Sequence, residues 1–328
     1  MRATGWMAEK KGGPLVRRQY DADPRQGEVV VQVAGCGVCH TDLGFYYEGI
    51  PTRQPFPLVL GHEIAGTVVD AGEDFRDWIG REVVVPAVIP CGTCPACRAG
   101  RGQVCAGQIF PGNDVHGGFA SHVRVPARGL CPVPERNGHD LAALSVVADA
   151  VSTPYAAIQR SGLTAGDLAV FVGAGGVGGF GIQIAAALGA AVVAIEPHEA
   201  RRALMLAHGA ALALDPAELA FKDLKQQVTG FARARGIPSF RTRIYETSGT
   251  RRGQETAFGL LGPGGTLSVV GFTPEKLELR LSNLMAYDAT VQGNWGCLPE
   301  HYPAVVDLVL SGKIALEPFL ERRPLAEI

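Results

Sequence analysis

The chain has 328 residues, 47% of them hydrophobic and 19% charged, with a formal net charge of −2. That length suits two globular domains with sizeable cores. The near-neutral balance argues against nucleic acid as the main partner, and no run of eighteen apolar residues exists to span a membrane.

Residues 1–20 carry no secretory pattern, because Gly12-Gly13-Pro14 interrupts them early. The first 140 residues read as β-rich, with strands expected at 28–33, 64–69, 82–85 and 121–125, where β-branched residues run between Gly and Pro. Short strands with irregular loops predict a barrel-like domain. Within it, Gly35-Cys36-Gly37-Val38-Cys39-His40-Thr41-Asp42 and Gly61-His62-Glu63 are dense in metal-ligating types. A catalytic zinc needs three protein ligands and one open position. Cys39 and His62 are candidates for two of them. The blander alternative is a buried thiol and a core histidine.

Cys91, Cys94, Cys97 and Cys105 follow, spaced C-x2-C-x2-C-x7-C on a Gly-rich stretch, lobe 88–108. Four thiolates on a tight loop satisfy a tetrahedral zinc with no open position, which makes a structural site whose metal supplies folding energy. Two disulfides and an iron–sulfur cluster are the alternatives. Nothing marks the chain as secreted, and the spacing fits neither common ferredoxin run. A reducing cytoplasm is the expected compartment.

From 141 the texture changes. Residues 141–160 are Ala- and Val-rich and predict a helix. Asp149 sits inside this apolar run. A buried carboxylate is costly unless paired or metal-bound, so Asp149 is the candidate third zinc ligand, with a backbone cap or an arginine pair as the alternative. Strands at 168–172, 191–195, 211–214, 243–246, 266–270 and 290–293 then alternate with helices at 178–188, 199–208, 221–235, 253–261 and 299–311. Alternating units of this kind predict an α/β, doubly wound parallel sheet covered on both faces.

The first of these strands runs into Gly173-Ala174-Gly175-Gly176-Val177-Gly178. Such a loop between strand and helix is a dinucleotide fingerprint. Gly173 permits the turn, Gly175 the approach of a pyrophosphate to the helix N-terminus, and Gly178 close packing. Glu196 ends the next strand, where a carboxylate can hold both ribose hydroxyls and repel a 2′-phosphate, favouring NAD over NADP. Arg201-Arg202 is a counter-signal, expected on a solvated helix face.

These motifs, in this order, resemble the zinc-dependent medium-chain alcohol dehydrogenases over nearly the whole chain. The resemblance implies a GroES-like catalytic domain at 1–148, a Rossmann NAD-binding domain at 149–295, and a segment at 296–328 returning to the catalytic domain. It implies two zinc ions per chain and NAD. It also implies that Thr41 takes the alcohol proton, that His40 touches the pyrophosphate, and that Glu63 is an acid able to approach the catalytic metal. A small-molecule substrate and a homo-oligomer, dimer or tetramer, are expected.

Three departures stand out. Many members carry a cysteine where this chain has Asp149, which predicts a harder, more Lewis-acidic metal. Gly44 replaces a histidine that ends the proton relay in several members, leaving solvent or Tyr46 as the exit. The family usually continues through another helix and strand beyond Ile328, so a truncated end is expected. Longer stretches at 46–53, 109–119, 145–155, 280–285 and 293–297 are similar to a branch that oxidises a ring alcohol on a CoA thioester. That implies an acyl-CoA substrate, with Tyr46, Phe110 and Trp295 lining a pocket for the ring and Arg53 meeting the CoA. A general alcohol or polyol dehydrogenase and a non-catalytic NAD-binding protein are the competing expectations.

Overall fold

The computed structural model describes residues 1–328 and divides them into two units, Met1–Ser152 with Gly296–Ser311 and Leu320–Ile328, and Thr153–Trp295 with Gly312–Phe319. The first break therefore falls after Ser152 rather than after residue 148, and the stretch Gly312–Phe319 joins the second unit rather than the first.

The first unit is built on β1 (Arg2–Ala8), β2 (Leu15–Asp21), β3 (Glu28–Gly37), β4 (Leu58–Val59), β5 (Glu63–Ala71), β6 (Glu82–Val85), β7 (His122–Pro126) and β8 (Cys131–Pro132). They form two antiparallel sheets, ordered β2-β1-β4 and β7-β3-β5-β6-β8. Val29, Val31, Ile64, Val68, Val83 and Val123 alternate inward from neighbouring strands of the larger sheet and are fully buried together. The β1–β2 pair has no counterpart in the sequence expectations. β2 is an edge strand that shows Arg17, Arg18 and Gln19 to solvent, so it lacks the apolar alternation that marks a strand.

Two shifts of register, between Val30 and Val31 and between Val33 and Gly35, interrupt the β3–β5 ladder. Such irregularities bend a strand and re-aim its end. Here they set Gly37 opposite Glu63. A Cβ on Gly37 would lie 1.9 Å from the Glu63 carboxylate, so only glycine leaves it room. Two short helices, α1 (His40–Leu43) and α2 (Pro95–Arg98), complete this part of the chain.

The expected helix at 141–160 is two pieces. A 3₁₀ segment, Ala143–Ala148, ends at Asp149, whose φ of −141° and ψ of −60° leave the helical region. Then α3 (Ser152–Ser161) begins. Apolar composition alone does not reveal this break.

The second unit holds β9 (Leu168–Val172), α4 (Gly176–Ala187), β10 (Ala191–Ile195), α5 (Glu199–Ala207), β11 (Leu212–Leu214), α6 (Phe221–Ala234), β12 (Thr242–Glu246), α7 (Arg251–Leu260), β13 (Thr266–Val269), α8 (Ser282–Tyr287) and β14 (Thr290–Gly293). The six strands are parallel, in the order β11-β10-β9-β12-β13-β14. Numbered from β9, this is the 3-2-1-4-5-6 order of dinucleotide-binding sheets. β9, at the switch point, is buried at every residue, as a central strand covered on both faces must be. Every expected strand of this unit is present within a residue of its ends, and α8 is additional. The chain then returns to the first unit in α9 (Tyr302–Leu310). No helix is long and apolar enough to cross a membrane.

Candidate metal centres and nucleotide loop

All eight cysteines are free thiols. In the lobe, the Cys94 sulfur lies 3.5 Å from that of Cys97 and 3.7 Å from that of Cys105, and Cys91 lies 3.9 Å from Cys97. A tetrahedral zinc with Zn–S bonds of about 2.3 Å holds its sulfurs about 3.8 Å apart, whereas a disulfide needs about 2 Å. The four thiols therefore fit one zinc ion. Backbone N–H groups of Thr93 and Cys94, aimed at the Cys91 sulfur, lower that thiol to about 5, and those around Cys94 lower it too. Thiolate is the form a metal takes.

The second cluster lies wholly in the first unit. Cys39 precedes α1, His62 precedes β5, Glu63 opens β5, and Asp149 occupies the break before α3. Their ligand atoms all lie within 4.8 Å of one another. Asp149 Oδ2 is 3.3 Å from His62 Nε2 and 3.7 Å from Cys39 Sγ. Those are the separations of donors sharing a tetrahedral zinc, about 3.3 to 3.7 Å.

Asp42, given no role from the sequence, organises this centre. It is 2% exposed. Its Oδ2 accepts from the Cys39 backbone N–H at 3.0 Å, the return bond of a capping box. Its Oδ1 accepts from the Gly61 N–H at 3.0 Å and lies 3.2 Å from His62 Nδ1. One carboxylate thus ties together the two segments that carry Cys39 and His62. By engaging Nδ1 it leaves Nε2 for a metal. The available signal was the spacing Cys39-x-x-Asp42 at a helix start.

The electrostatics also favour a cation. Burial opposes a charge on His62, but the neighbouring Asp42, with hydrogen bonds to Asp149, Asp42 and Cys39, holds the imidazole well above its usual range. Burial, reinforced by the Asp149 charge, lifts the Glu63 carboxyl to about 8, and burial raises the Cys39 thiol. The buried acids exceed what one imidazolium can neutralise. A bound dication reverses that balance, stabilising thiolate and carboxylate and displacing the imidazole proton.

The other candidates of this unit are scattered. Thr41 lies half-buried in α1, and His40, which opens it, is exposed. Phe110 is buried with its ring 4.8 Å from that of His62. Tyr46 donates its hydroxyl to the Gly13 carbonyl, so it holds a loop rather than offering a proton route. Arg53 is engaged by Asp114 at 3.1 Å and by the Gln108 carbonyl at 3.3 Å. Trp295 belongs to the second unit and is 48% exposed.

In the second unit the glycine loop closes as read. Gly173 has a φ of +94°, and a Cβ there would strike the Ser248 backbone at 2.6 Å. One on Gly178 would sit 2.0 Å from the Gly173 carbonyl, while Gly175 has open space before it. Gly176 and Val177 start α4. Glu196, 3% exposed, accepts from the Ala174 N–H at 2.8 Å and the His198 N–H at 3.1 Å, which fixes its carboxylate against the loop. The arginines are not on a purely solvated face. Arg202 folds inward onto the Glu196 carbonyl at 2.9 Å and Asp215 at 2.7 Å, and Arg201 comes within 3.9 Å of the Glu196 carboxylate.

One unit thus offers a place for an electrophilic metal and the other a place for a dinucleotide, which defines a metal-dependent, nucleotide-linked dehydrogenase. Comparison with known proteins agrees. The alcohol dehydrogenase GroES-like domain matches residues 25–135, and the zinc-binding dehydrogenase family matches 176–311. L-threonine 3-dehydrogenase of Pyrococcus furiosus is 33% identical over 307 residues, 92% of this chain and 85% of the relative. An alcohol dehydrogenase of Geobacillus stearothermophilus is 29% identical over 306 residues, 92% of this chain and 86% of the relative. Among solved structures, D-arabinose dehydrogenase of Sulfolobus solfataricus has a TM-score of 0.84 at 26% identity, covering 99% of this chain and 98% of that one. A protein of Sinorhizobium meliloti 1021, assigned as a zinc-binding dehydrogenase and bound to NADP, has a TM-score of 0.85 at 26% identity, covering 97% and 91%. The chain belongs to the zinc-dependent medium-chain alcohol dehydrogenase family and is an oxidoreductase acting on CH–OH groups, with zinc and a nicotinamide dinucleotide as cofactors.

Two outcomes are expected of this geometry. Cys94→Ser lowers zinc from about two to about one per chain and opens the lobe to trypsin at Arg98 and Arg101, both exposed; zinc analysis and a proteolysis time course check this. Asp42→Asn weakens zinc at the second centre by about 10- to 100-fold without touching the lobe, as read by competition with a chelator.

Proposed function

We propose that this protein oxidises a ring secondary alcohol with NAD, and that its substrate is an acyl-CoA thioester, 6-hydroxycyclohex-1-ene-1-carbonyl-CoA, taken to the 6-oxo thioester in anaerobic aromatic degradation. The observation that carries the oxidation is the convergence of Cys39, His62 and Asp149 at metal-sharing distances beside a carboxylate, Glu63, able to approach the same point. The thioester reading is supported by the sequence stretches similar to that enzyme. The named relatives are dehydrogenases of threonine, alcohols and D-arabinose.

When bound, zinc supplies a Lewis acid for the substrate hydroxyl, and NAD accepts the hydride. The chain does the rest. Cys39, His62 and Asp149 hold the metal, and Asp42 keeps the imidazole oriented. Thr41, two residues after Cys39 and within α1, takes the hydroxyl proton and passes it outward. Phe110 keeps the wall beside His62 apolar, which suits a carbocycle. The N–H groups after Gly175 hold the pyrophosphate at the start of α4, and Glu196 accepts the ribose hydroxyls. The reading of NAD over NADP rests on Glu196, whose fixed charge repels a 2′-phosphate. The adjacent Arg201 supplies the opposite field, and removing Glu196 leaves it unopposed.

A general alcohol dehydrogenase is the second reading, favoured by the relatives' substrates. NADH formation with 6-hydroxycyclohex-1-ene-1-carbonyl-CoA, beside cyclohexanol and cyclohex-2-enol, decides between them. Turnover confined to the thioester is expected, and equal turnover of the plain alcohols contradicts it. Asp149→Ala abolishes turnover and removes about one zinc per chain; full zinc occupancy in that variant contradicts the ligand assignment. Glu196→Ala narrows the NAD preference by about tenfold or more, measured as the ratio of kcat/KM for NAD and NADP.

A further inference from the structure

We infer that Tyr302, on α9, is a positioning residue for the catalytic metal: its buried hydroxyl fixes the peptide bond from which Asp149 projects. The inference rests on Asp149 being a metal ligand.

Tyr302 is fully buried. A phenol has one proton to give and two lone pairs to receive, and here all are used. The hydroxyl donates to the Ala148 carbonyl, and accepts from the Ser152 hydroxyl at 3.2 Å and the Ala87 N–H at 3.3 Å. The Ser152 hydroxyl has one proton, shared between Tyr302 and the Ala148 carbonyl at 3.1 Å, and the Ala87 N–H is likewise shared with that carbonyl at 3.4 Å. The Tyr302 hydroxyl is therefore the one donor committed to this carbonyl alone, with shared donors beside it from the stretch after β6 and the start of α3.

That carbonyl lies in the peptide plane joining Ala148 to Asp149. Asp149 is where the apolar run leaves the helical conformation, with a φ of −141°. A continuous helix would carry its side chain round with the helix axis. Pinning the Ala148 carbonyl instead sets the orientation of the peptide plane, and so the direction in which the Asp149 Cα–Cβ bond leaves it. With that direction set, Oδ2 stands 3.3 Å from His62 Nε2. Side chains that orient a ligand typically alter metal affinity about 10- to 100-fold when removed.

The test is Tyr302→Phe, which deletes the hydroxyl and keeps the ring. Ala87 and Ser152 retain the Ala148 carbonyl as a partner, so the variant is expected to fold. Its catalytic-site zinc should be taken by a chelator at about 10- to 100-fold lower concentration, while the four-cysteine zinc is unchanged. With cobalt in the catalytic site, the d–d bands should shift as the carboxylate ligand moves. Ser152→Ala, which removes another donor from the same carbonyl, should shift affinity the same way and by less. Tyr245→Phe is the control, since it removes an equally buried hydroxyl, bonded to Ser161 at 2.7 Å in the second unit; it should leave metal affinity unchanged. Wild-type zinc affinity and cobalt spectrum in Tyr302→Phe, whatever its Tm, overturn the inference. Asp149→Ala in the same titration separates the two levels. If that variant also binds like wild type, the ligand assignment itself is wrong; if it alone weakens, only the role of Tyr302 is.

Discussion

The arrangement depends on one electrostatic constraint. Asp42, His62 and Glu63 are buried together, with Cys39 and Asp149 half-covered beside them. Ionised acids are costly to take out of water without a compensating charge, and a single imidazolium does not balance them, so burial lifts the Glu63 carboxyl to about 8. Within this unit, much of the irregular structure brings them together nonetheless. The bent end of β3 and the bare Cα of Gly37 admit Glu63, a capping box fixes Cys39, and a broken helix turns Asp149 inward. A divalent cation where these side chains meet makes each of those placements favourable.

The lobe uses cysteine differently. There the donors are four sulfurs on one short loop, where backbone N–H groups favour thiolate at Cys91 and Cys94 while burial holds the Cys97 thiol up at about 12. Four identical donors saturate an ion and leave nothing to react, which suits a clasp. The second cluster mixes one sulfur, one nitrogen and carboxylate oxygen, and its remaining carboxylate, Glu63, lies buried within reach of the same point. A carboxylate in place of a thiolate keeps the formal charge and is the harder donor, so the proposed Asp149 ligand goes with a more Lewis-acidic metal. The nucleotide unit follows the same logic at lower stakes. Glu196 is held by two backbone N–H groups before any ribose arrives, so little ordering remains to be done on binding.

Patterns that are local in sequence were legible. The parallel sheet could be read strand by strand because fully buried strands are continuous apolar runs bounded by turns. Both metal clusters announced themselves through residue type, and the glycine loop through its flanks. What escaped depends on contacts distant in sequence. β2 pairs along its length with β1 but faces water, so its charged residues hid it. Asp42 looks like an ordinary helix-start acid until β5 arrives with His62. The carbonyl leading into the break at Asp149 accepts from Tyr302, more than 150 residues later, and no periodicity in the run itself records it. Arg201 and Arg202 read as solvated helix residues, whereas Arg202 is drawn inward by Asp215, the residue after β11.

Anomalous diffraction at the zinc edge, from crystals of the zinc-loaded protein, addresses the central claim most directly. The account predicts two peaks per chain, one among Cys91, Cys94, Cys97 and Cys105 and one within about 2.0 to 2.3 Å of Cys39 Sγ, His62 Nε2 and an Asp149 oxygen. A single peak in the lobe, or a second peak bonded to Cys39 and His62 but not to Asp149, contradicts it.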